Sequence, residues 1–329
     1  MNHFLMRKIS FIINPKAKNG YCMEIWKLIE RRLVESGFQY MAFFTEYPGH
    51  AQKISAQIAA MTQEEEVIIA VGGDGTLHEV MNGVMNNKNM ILGFIPGGSG
   101  NDFSRGFQIP TDPIEALQAM KRLMNKDATV IDTGKIHLDN ESENYFINNM
   151  GAGFDALISY EVNQSPMKSL LNKLRLGRLV YVYVLLKKLF TYQCSTISLM
   201  IDGKKHIFEH TWFVTVSNQP YYGGGMKIAP KAVPDDGILD ITIVHHLSRI
   251  KLLFVFISVF WGKHIHFKEV EMLTGRTISI DSQANLFVHA DGEFIGYTPL
   301  KIQVQPNSLK VLTRRKSDKR MELMEEEME

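Results

Sequence analysis

Cysteine, net charge and long apolar runs are all scarce in this 329-residue sequence. The two cysteines, Cys22 and Cys194, stand far apart and form no metal-spaced pair, which argues against structural zinc and favours a reducing cytosol. The formal net charge of +1 gives no global electrostatic reason to expect a nucleic-acid partner. These scarcities point to an ordinary globular protein with neither a metal scaffold nor a nucleic-acid surface.

Membrane-spanning and secretion signals are also missing. The longest apolar stretch, "IKLLFVFISVFWG" from Ile250, is too short to cross a bilayer, so it predicts a core helix instead. The N-terminal "MNHFLMRKISFIINP" carries an arginine and a lysine inside its apolar run, which is not the layout of a signal peptide. We therefore expect a soluble cytoplasmic protein, and peripheral contact with the inner face of the membrane stays open.

The phosphate-binding fingerprints of several large families are absent. No GxxxxGK[ST] occurs, which excludes a P-loop enzyme. Gly73 and Gly75 begin a GxG pattern, but His78 stands where the dinucleotide fingerprint needs its third glycine. No HRD or DFG set is present, which excludes a protein-kinase site.

The first third of the chain does contain an alternation of buried strands and amphipathic helices. Strands are predicted at "KISFII", "YMAFF", "VIIAVGG" and "MILGFIP", with apolar residues at helical spacing between them. Repeated βα units with apolar strands predict a doubly wound parallel sheet, in which ligands bind beyond the carboxyl ends of the strands. We assign residues 1–133 to a nucleotide-binding α/β domain.

The pattern changes after residue 133. Short strands with turn signals, including a hairpin around Asp202-Gly203, predict a β-rich second domain, a β-sandwich, over residues 134–300. Residues 301–315 read as a strand that returns to the first domain, and residues 316–329 form a charged tail. The active cleft is expected between the two domains.

The segment "AVGGDGTLHEVMNGV", residues 70–84, predicts a tight turn between a strand and a helix. The glycines leave no Cβ in the turn and the helix N-terminus supplies backbone N–H groups, so the turn can bind a phosphate. Asp74 would repel a phosphate unless a divalent cation bridged the two charges, and Thr76 adds a hydroxyl donor. The alternative is a plain βα turn with a polar cap. A second glycine loop at the next strand end, "PGGSGNDF", weakens that alternative.

Five ordered motifs carry a family resemblance: "GGDGTLHEVMNGV", "GFIPGGSGNDFSRGF", "FINNMGAGFDA", "AP…PDDGILD" and "ADGEF". Together they resemble the diacylglycerol-kinase catalytic-domain family, and more closely its soluble bacterial lipid-kinase branch, which is related to sphingosine kinases. The resemblance covers residues 7 to 313. It implies a first domain of the phosphofructokinase and NAD-kinase type, and transfer of the ATP γ-phosphoryl group to a lipid hydroxyl with Mg2+.

The same resemblance implies the site residues. The nucleotide would contact Asn14, Thr45, Gly72, Gly73, Asp74, Gly75, Thr76, Leu77, His78, Glu79 and Ser99, with Asp74 near the catalytic magnesium. Asp132 matches an acidic position that supports the site. A structural magnesium would bind the Asp236 carboxylate and the main-chain carbonyls of Val233 and Ile238. Lys231 stands where relatives often have an aspartate.

Glu293 is the candidate general base, by the resemblance and by its chemistry. An alcohol is a poor nucleophile, and a carboxylate within hydrogen-bond reach can take its proton as it attacks. Glu293 lies in an Asp-Gly-Glu turn between apolar strands of the second domain. An ordinary hairpin turn with two solvated acids is the alternative.

Partners and competing functions stay open at this point. The lipid substrate would come from a membrane surface, and the basic, apolar residues 166–192 would either contact anionic lipid or form a solvated face. A diacylglycerol-like acceptor is favoured, but the sequence settles neither the lipid nor the oligomeric state. The alternatives are an NAD kinase, which shares GGDGT, and a catalytically silent nucleotide-binding regulator.

Overall fold

The structure, a computed structural model, describes residues 7–98, 100–124, 126–139, 142–165 and 177–313, without the side chains of residues 177–181. The chain divides into two units, Met1–Ile131 with Ser308–Glu329, and Asp132–Asn307. The sequence places the two crossings after residues 133 and 300. The structure places these boundaries after residues 131 and 307, each inside a long strand.

The first unit is built on a parallel sheet. Its strands are β1 (Lys8–Ile13), β2 (Met41–Phe44), β3 (Glu66–Gly72) and β4 (Met90–Pro96), in the order β2-β1-β3-β4. Every residue of β3 and β4 is buried, as expected of parallel strands that are covered on both faces. The end of the last strand of the chain, at Lys310 and Val311, pairs in parallel with the outer side of β4.

Helices follow the strands of this sheet. They are α1 (Tyr21–Glu35), α2 (His50–Met61), α3 (Asp74–Val84), α4 (Asp102–Gly106) and α5 (Pro113–Leu123). The start of α5 shows local sequence control: the Asp112 carboxylate accepts the N–H groups of Ile114 and Glu115, and Pro113 occupies the first turn. The predicted doubly wound α/β fold is confirmed.

The second unit is β-rich and antiparallel. Its strands are β5 (Thr129–Leu138), β6 (Glu143–Phe146), β7 (Asn149–Gly153), β8 (Ser195–Ile201), β9 (Lys204–Ser217), β10 (Tyr221–Tyr222), β11 (Met226–Lys227), β12 (Leu239–His245), β13 (Val270–Gly275), β14 (Thr277–Ser282), β15 (Phe287–Ala290), β16 (Glu293–Tyr297) and β17 (Leu300–Val311). The 14-residue β9 pairs with β8 through its first half and with β7 and β12 through its second half. Apolar side chains from these strands form one buried cluster, the core of the predicted β-rich domain.

Three helices of the described residues belong to this unit: α6 (Phe154–Gln164), α7 (Gly177–Leu189) and α8 (Arg249–Val259). The stretch predicted as a core helix forms α8, but the prediction is only half right. Leu252, Val255 and Val259 are buried, whereas Ile250 and Phe254 on the outer side are exposed. Within the described part of the chain, no helix is long and apolar enough to cross a membrane. Residues 166–176 of the predicted basic segment 166–192, and the whole of the predicted tail, lie outside the described residues.

Candidate functional site

The carboxyl edge of the parallel sheet collects the predicted nucleotide residues of the first unit. Ile13 of β1 is in register with Phe44 of β2 and Val71 of β3, so the residues that follow these strands lie side by side. Asn14 donates its backbone N–H to the Val71 carbonyl at 3.0 Å, and Thr45 donates its own to the Ile13 carbonyl at 2.9 Å. The sheet register therefore brings Asn14 and Thr45 to the edge where the glycine loop begins.

The first glycine loop runs from Gly72 into the first turn of α3. Gly73 precedes the helix and makes no side-chain cap, so the first N–H groups of α3 face outward from the helix end without intrahelical partners. The Asn14 side-chain amide donates to the Thr76 hydroxyl at 3.1 Å, which ties the loop to the end of β1. A loop of this kind presents backbone N–H groups and a helix dipole to an anion.

The second glycine loop packs directly on the first. The Gly97 N–H bonds to the Gly72 carbonyl at 2.6 Å. A Cβ on Gly98 would stand 2.4 Å from the Cα of Gly73, and a Cβ on Gly72 would strike the Thr76 side chain at 2.5 Å. Glycine at 98 is thus required by the close approach of the two loops, and glycine at 72 by the Thr76 side chain of its own loop, independently of any ligand. Ser99 lies outside the described residues.

Asp74 has partners that the sequence did not indicate. Its carboxylate accepts the backbone N–H of Asp102 at 3.1 Å and of Phe103 at 3.2 Å, at the start of α4. Asp102 in turn pairs with Arg105 at 3.1 Å. The loop aspartate therefore holds the two glycine loops together from one side. Each carboxylate oxygen carries two lone pairs, so hydrogen bonds to these N–H groups do not by themselves exclude a cation.

The remaining predicted nucleotide residues on α3 face the protein. Leu77 and His78 are buried. The Glu79 carboxylate accepts the N–H groups of Gly49 at 2.8 Å and Ala51 at 3.1 Å, so it caps the N-terminus of α2. In the structure these three side chains secure α3 within the unit.

The second unit presents Glu293 at a rigid turn. Asp291 adopts a left-handed backbone conformation with φ of 50°, followed by Gly292 at 88°. The Asp291 carboxylate accepts three backbone N–H groups, from Ile147 at 3.1 Å, Asn148 at 2.8 Å and Asn149 at 3.2 Å. The Glu293 side chain is exposed, and no described residue gives it a hydrogen bond or an ion pair.

Helix α6 holds the same turn from beneath. The Gly292 carbonyl accepts the Ser159 hydroxyl at 2.9 Å and the Asn163 amide at 3.3 Å, while the Gly292 N–H donates to Nδ1 of His289 at 3.2 Å. The other ring nitrogen of His289, Nε2, lies 3.4 Å from the Asp155 carboxylate, and both side chains are only 3% exposed. Both backbone polar groups of Gly292, the residue before Glu293, are therefore hydrogen-bonded.

Asp132 is buried and fully engaged with the backbone of the second unit. Its carboxylate accepts the N–H of Gly237 at 2.7 Å and of Asn307 at 2.8 Å, and its own N–H donates to the Pro234 carbonyl at 2.7 Å. Asp132 thus fastens the "PDDG" loop to Asn307 within β17.

The predicted structural-metal residues lie on that loop. Asp236 is exposed, and one of its oxygens accepts the Ile238 N–H at 3.0 Å. Burial, together with the nearby Asp236 charge, raises the pKa of Asp240 to about 6. Among the residues that the structure describes, no three His, Cys, Asp or Glu side chains come together as a metal-binding group. A cation here would depend on main-chain carbonyls such as that of Val233.

The structure thus assembles two groups of predicted residues, one in each unit. Asn14, Thr45 and the two glycine loops meet in the first unit, and Asp132 meets the "PDDG" loop in the second. Sequence reasoning missed Asp155 and His289, which hold the Glu293 turn. Asp155 is the last but one residue of the motif "FINNMGAGFDA" and His289 directly precedes "ADGEF", so proximity to the motifs was the available signal.

Comparison with known proteins agrees with this geometry. Residues 8–136 match the model of the diacylglycerol kinase catalytic domain, and residues 148–313 match that of the YegS C-terminal NAD kinase beta sandwich-like domain. The "Putative lipid kinase YtlR" of Bacillus subtilis (strain 168) is 34% identical over 306 residues, which span 92% of this chain and 98% of that protein.

Two further relatives cover similar lengths. A diacylglycerol kinase of Mycobacterium tuberculosis (strain ATCC 25618 / H37Rv) is 29% identical over 93% of this chain and 94% of its own. A crystal structure of a diacylglycerol kinase from Bacillus anthracis str. Sterne shares the fold, with a TM-score of 0.68, 23% identity, and coverage of 94% of this chain and 97% of that one. The chain belongs to the diacylglycerol kinase catalytic-domain family of bacterial lipid kinases.

Proposed function

We propose that this protein transfers the γ-phosphoryl group of ATP to the hydroxyl group of a diacylglycerol-like lipid. The observation that carries the proposal is the stack of two glycine loops at the carboxyl edge of the parallel sheet, in a chain of this family. Ligands of such sheets bind at this edge. Family membership favours this reading over an NAD kinase.

The nucleotide phosphates bind, in this proposal, along Gly72, Gly73, Gly75 and Thr76, with the side chains of Asn14, Thr45 and Ser99 nearby. The N–H groups at the start of α3 supply the donors, and the absence of Cβ atoms leaves the backbone accessible. Leu77, His78 and Glu79 contribute by fixing α3, because their side chains are buried or bonded to α2.

The residues present fit Mg2+ at Asp74, because a carboxylate beside a phosphate-binding loop is the donor this cation prefers. Bound there, Mg2+ would neutralise charge on the phosphates. A structural Mg2+ at Asp236 and the carbonyls of Val233 and Ile238 is a second part of the proposal. This part is supported by a set of hard oxygen donors on a loop that Asp132 holds by hydrogen bonds to Gly237 and Pro234.

Glu293 acts as the general base in this proposal. Its carboxylate takes the proton of the acceptor hydroxyl while the hydroxyl oxygen bonds to the γ-phosphorus and the bond to the β,γ-bridging oxygen breaks, which releases ADP. The support is that Glu293 is exposed and unpaired among the described residues, on a turn held by Asp291, His289 and α6. Because the backbone of this turn is held, Glu293 needs no backbone rearrangement when the acceptor arrives.

The test is phosphate transfer from radiolabelled ATP by purified protein with Mg2+. The acceptors are mixed micelles of diacylglycerol, phosphatidylglycerol or sphingosine, and NAD in solution. We expect lipid-stimulated transfer that is lost in Asp74→Ala and in Glu293→Gln, with ATP binding retained in Glu293→Gln. The matched control is Glu209→Gln, which removes another exposed carboxylate of the second unit.

Three outcomes would contradict parts of the proposal. Transfer to NAD alone would identify an NAD kinase. ATP binding without transfer to any acceptor would indicate the silent regulator. Near-normal transfer by Glu293→Gln would rule out Glu293 as the base.

A further inference from the structure

Helices α7 and α8 expose an unusually apolar surface on the second unit. On α8 and the turn after it, Ile250, Phe254 and Trp261 are 69%, 63% and 66% exposed. Ile257 and Phe260 are exposed beside them. We call these five residues, with the exposed Val182, Tyr183, Leu186 and Phe190 of α7 and its C-terminal end, the apolar helical face.

The face belongs to one packed body. Leu185 and Leu189 of α7 share a buried cluster with Leu252 and Val255 of α8, and the Arg249 guanidinium bonds to the Leu189 carbonyl at 3.0 Å. The inner sides of both helices thus contribute to one buried cluster with α6 and the sheet, while their outer sides carry large apolar groups in water. A helix that is apolar all round is normally buried, and a group of large exposed apolar side chains of this kind marks an interaction surface.

The charges around the face identify the kind of partner. No aspartate or glutamate occurs between Asp240 and Glu269, or between Glu161 and Asp202, which are the stretches that contain the two helices. The nearest acids are neutralised, because Glu161 pairs with Lys188 and Glu269 pairs with Lys251, both at 2.6 Å. The exposed cations Lys187 and Lys263 remain beside the apolar groups.

We propose that the apolar helical face docks this protein on the surface of an anionic lipid bilayer. The choice of lipid over protein as the occupant follows the charge pattern and rests on the proposed function, since a lipid acceptor resides in such a surface. Tryptophan and phenylalanine enter the interface while flanking lysines contact the headgroups, as in amphipathic helices that lie in the membrane plane. The lipid contact that the sequence left open for residues 166–192 is thus proposed for the described residues 182–190 together with α8, whose composition had predicted a core helix.

Tryptophan fluorescence of the wild-type protein can measure this docking. The chain has three tryptophans, of which Trp26 and Trp212 are buried and Trp261 is exposed. Vesicles of phosphatidylglycerol mixed with phosphatidylcholine should shift the tryptophan emission to shorter wavelength, and vesicles of phosphatidylcholine alone should shift it far less. Lipids brominated in the upper acyl chain should quench the same signal. An emission spectrum that anionic vesicles leave unchanged would overturn the proposal.

Substitutions in the apolar helical face test whether this surface binds the vesicles. The triple variant Ile250→Ser/Phe254→Ser/Trp261→Ser should bind anionic vesicles at least about tenfold more weakly in co-sedimentation. The reason is that it lacks three apolar side chains that the wild type would bury in the bilayer. Ile207→Ser, which removes an exposed isoleucine of β9, should bind like the wild type. Lys187→Glu/Lys263→Glu should lose the preference for anionic lipid, and added salt should weaken wild-type binding.

The remaining measurements separate the alternatives. Sedimentation velocity tests whether the face instead binds a second copy of the chain. A wild-type dimer that the triple serine substitution dissociates, with vesicle binding unchanged, would assign the face to a second copy and overturn the proposal. The triple serine variant should transfer phosphate normally to a short-chain, fully dispersed diacylglycerol and more slowly to diacylglycerol in vesicles. That result would support the docking proposal. Vesicle binding is measured without turnover, so a protein that phosphorylates no lipid would refute the proposed function while the docking result still stands.

Discussion

Substituting Asp291 should reveal how the turn beneath Glu293 is held. The Asp291→Asn side chain keeps the volume and tolerates the positive φ, but an NH2 group replaces one of the two acceptor oxygens. At least one of the three backbone N–H groups from Ile147, Asn148 and Asn149 then faces a donor instead of an acceptor. The others lose the contribution of a full charge.

The magnitude follows from those contacts. A backbone N–H left without an acceptor costs about 1–3 kcal/mol, and hydrogen bonds to a charged group are about twice as strong as neutral ones. We therefore expect Asp291→Asn to lower the free energy of unfolding by roughly 2–4 kcal/mol, and the melting temperature by about 5–10 °C. A displaced Glu293 should reduce kcat by about 10- to 100-fold.

The chain offers a matched control. Asp202 also has a positive φ, of 46°, precedes a glycine, and accepts the N–H groups of Arg276 at 3.0 Å and Thr277 at 2.8 Å. Asp202→Asn should therefore destabilise the protein comparably and leave kcat within about twofold. Thermal denaturation and steady-state kinetics of both variants test this. Equal losses of kcat in the two, or full activity in Asp291→Asn, would refute the reasoning.

Three further predictions concern single contacts. Gly98→Ala should lower ATP affinity at least about tenfold in calorimetry, because its Cβ would push the second glycine loop away from the first. Asp155→Asn should reduce kcat about tenfold with unchanged ATP affinity and no loss in melting temperature, since that buried carboxylate lacks a hydrogen bond among the described residues yet lies against His289. Glu65→Gln should destabilise the protein near pH 7 by up to about 1 kcal/mol. Lys310 and Arg7 lower the pKa of Glu65. In urea titrations at each pH, this difference should therefore shrink as the pH falls below the ordinary glutamate pKa of about 4.3, and vanish once the pH is below the lowered pKa.

The parallel sheet could be predicted because its information is local. The apolar runs of β1, β3 and β4, and the glycines directly after β3 and β4, place strand ends and loops without any knowledge of distant contacts. The Asp112 cap is local in the same way. Once parallel order is assumed, the strand ends must share one edge, so the grouping of Asn14, Thr45 and the loops followed from topology.

The rest of the site depends on contacts between residues far apart in the chain. Asp74 bonds to Asp102 and Phe103, and His289 approaches Asp155 across 134 positions. The periodicity of the sequence does not indicate such contacts. Exposure is likewise a tertiary property. The composition of α8 suits a core helix, and only the exposure of Ile250 and Phe254 distinguishes its outer side.

The order of strands has a consequence for synthesis on the ribosome. The outer side of β4 is complete once residue 96 has emerged, yet the strand that covers it, at Lys310 and Val311, comes more than 200 residues later. At bacterial translation rates this interval lasts roughly 10–40 s. During that time an apolar parallel strand has an unpaired edge, which is a template for aggregation. A nascent chain of this protein should therefore engage chaperones until its last strand is made, and truncation before residue 310 should yield an insoluble product even though most of both cores is present.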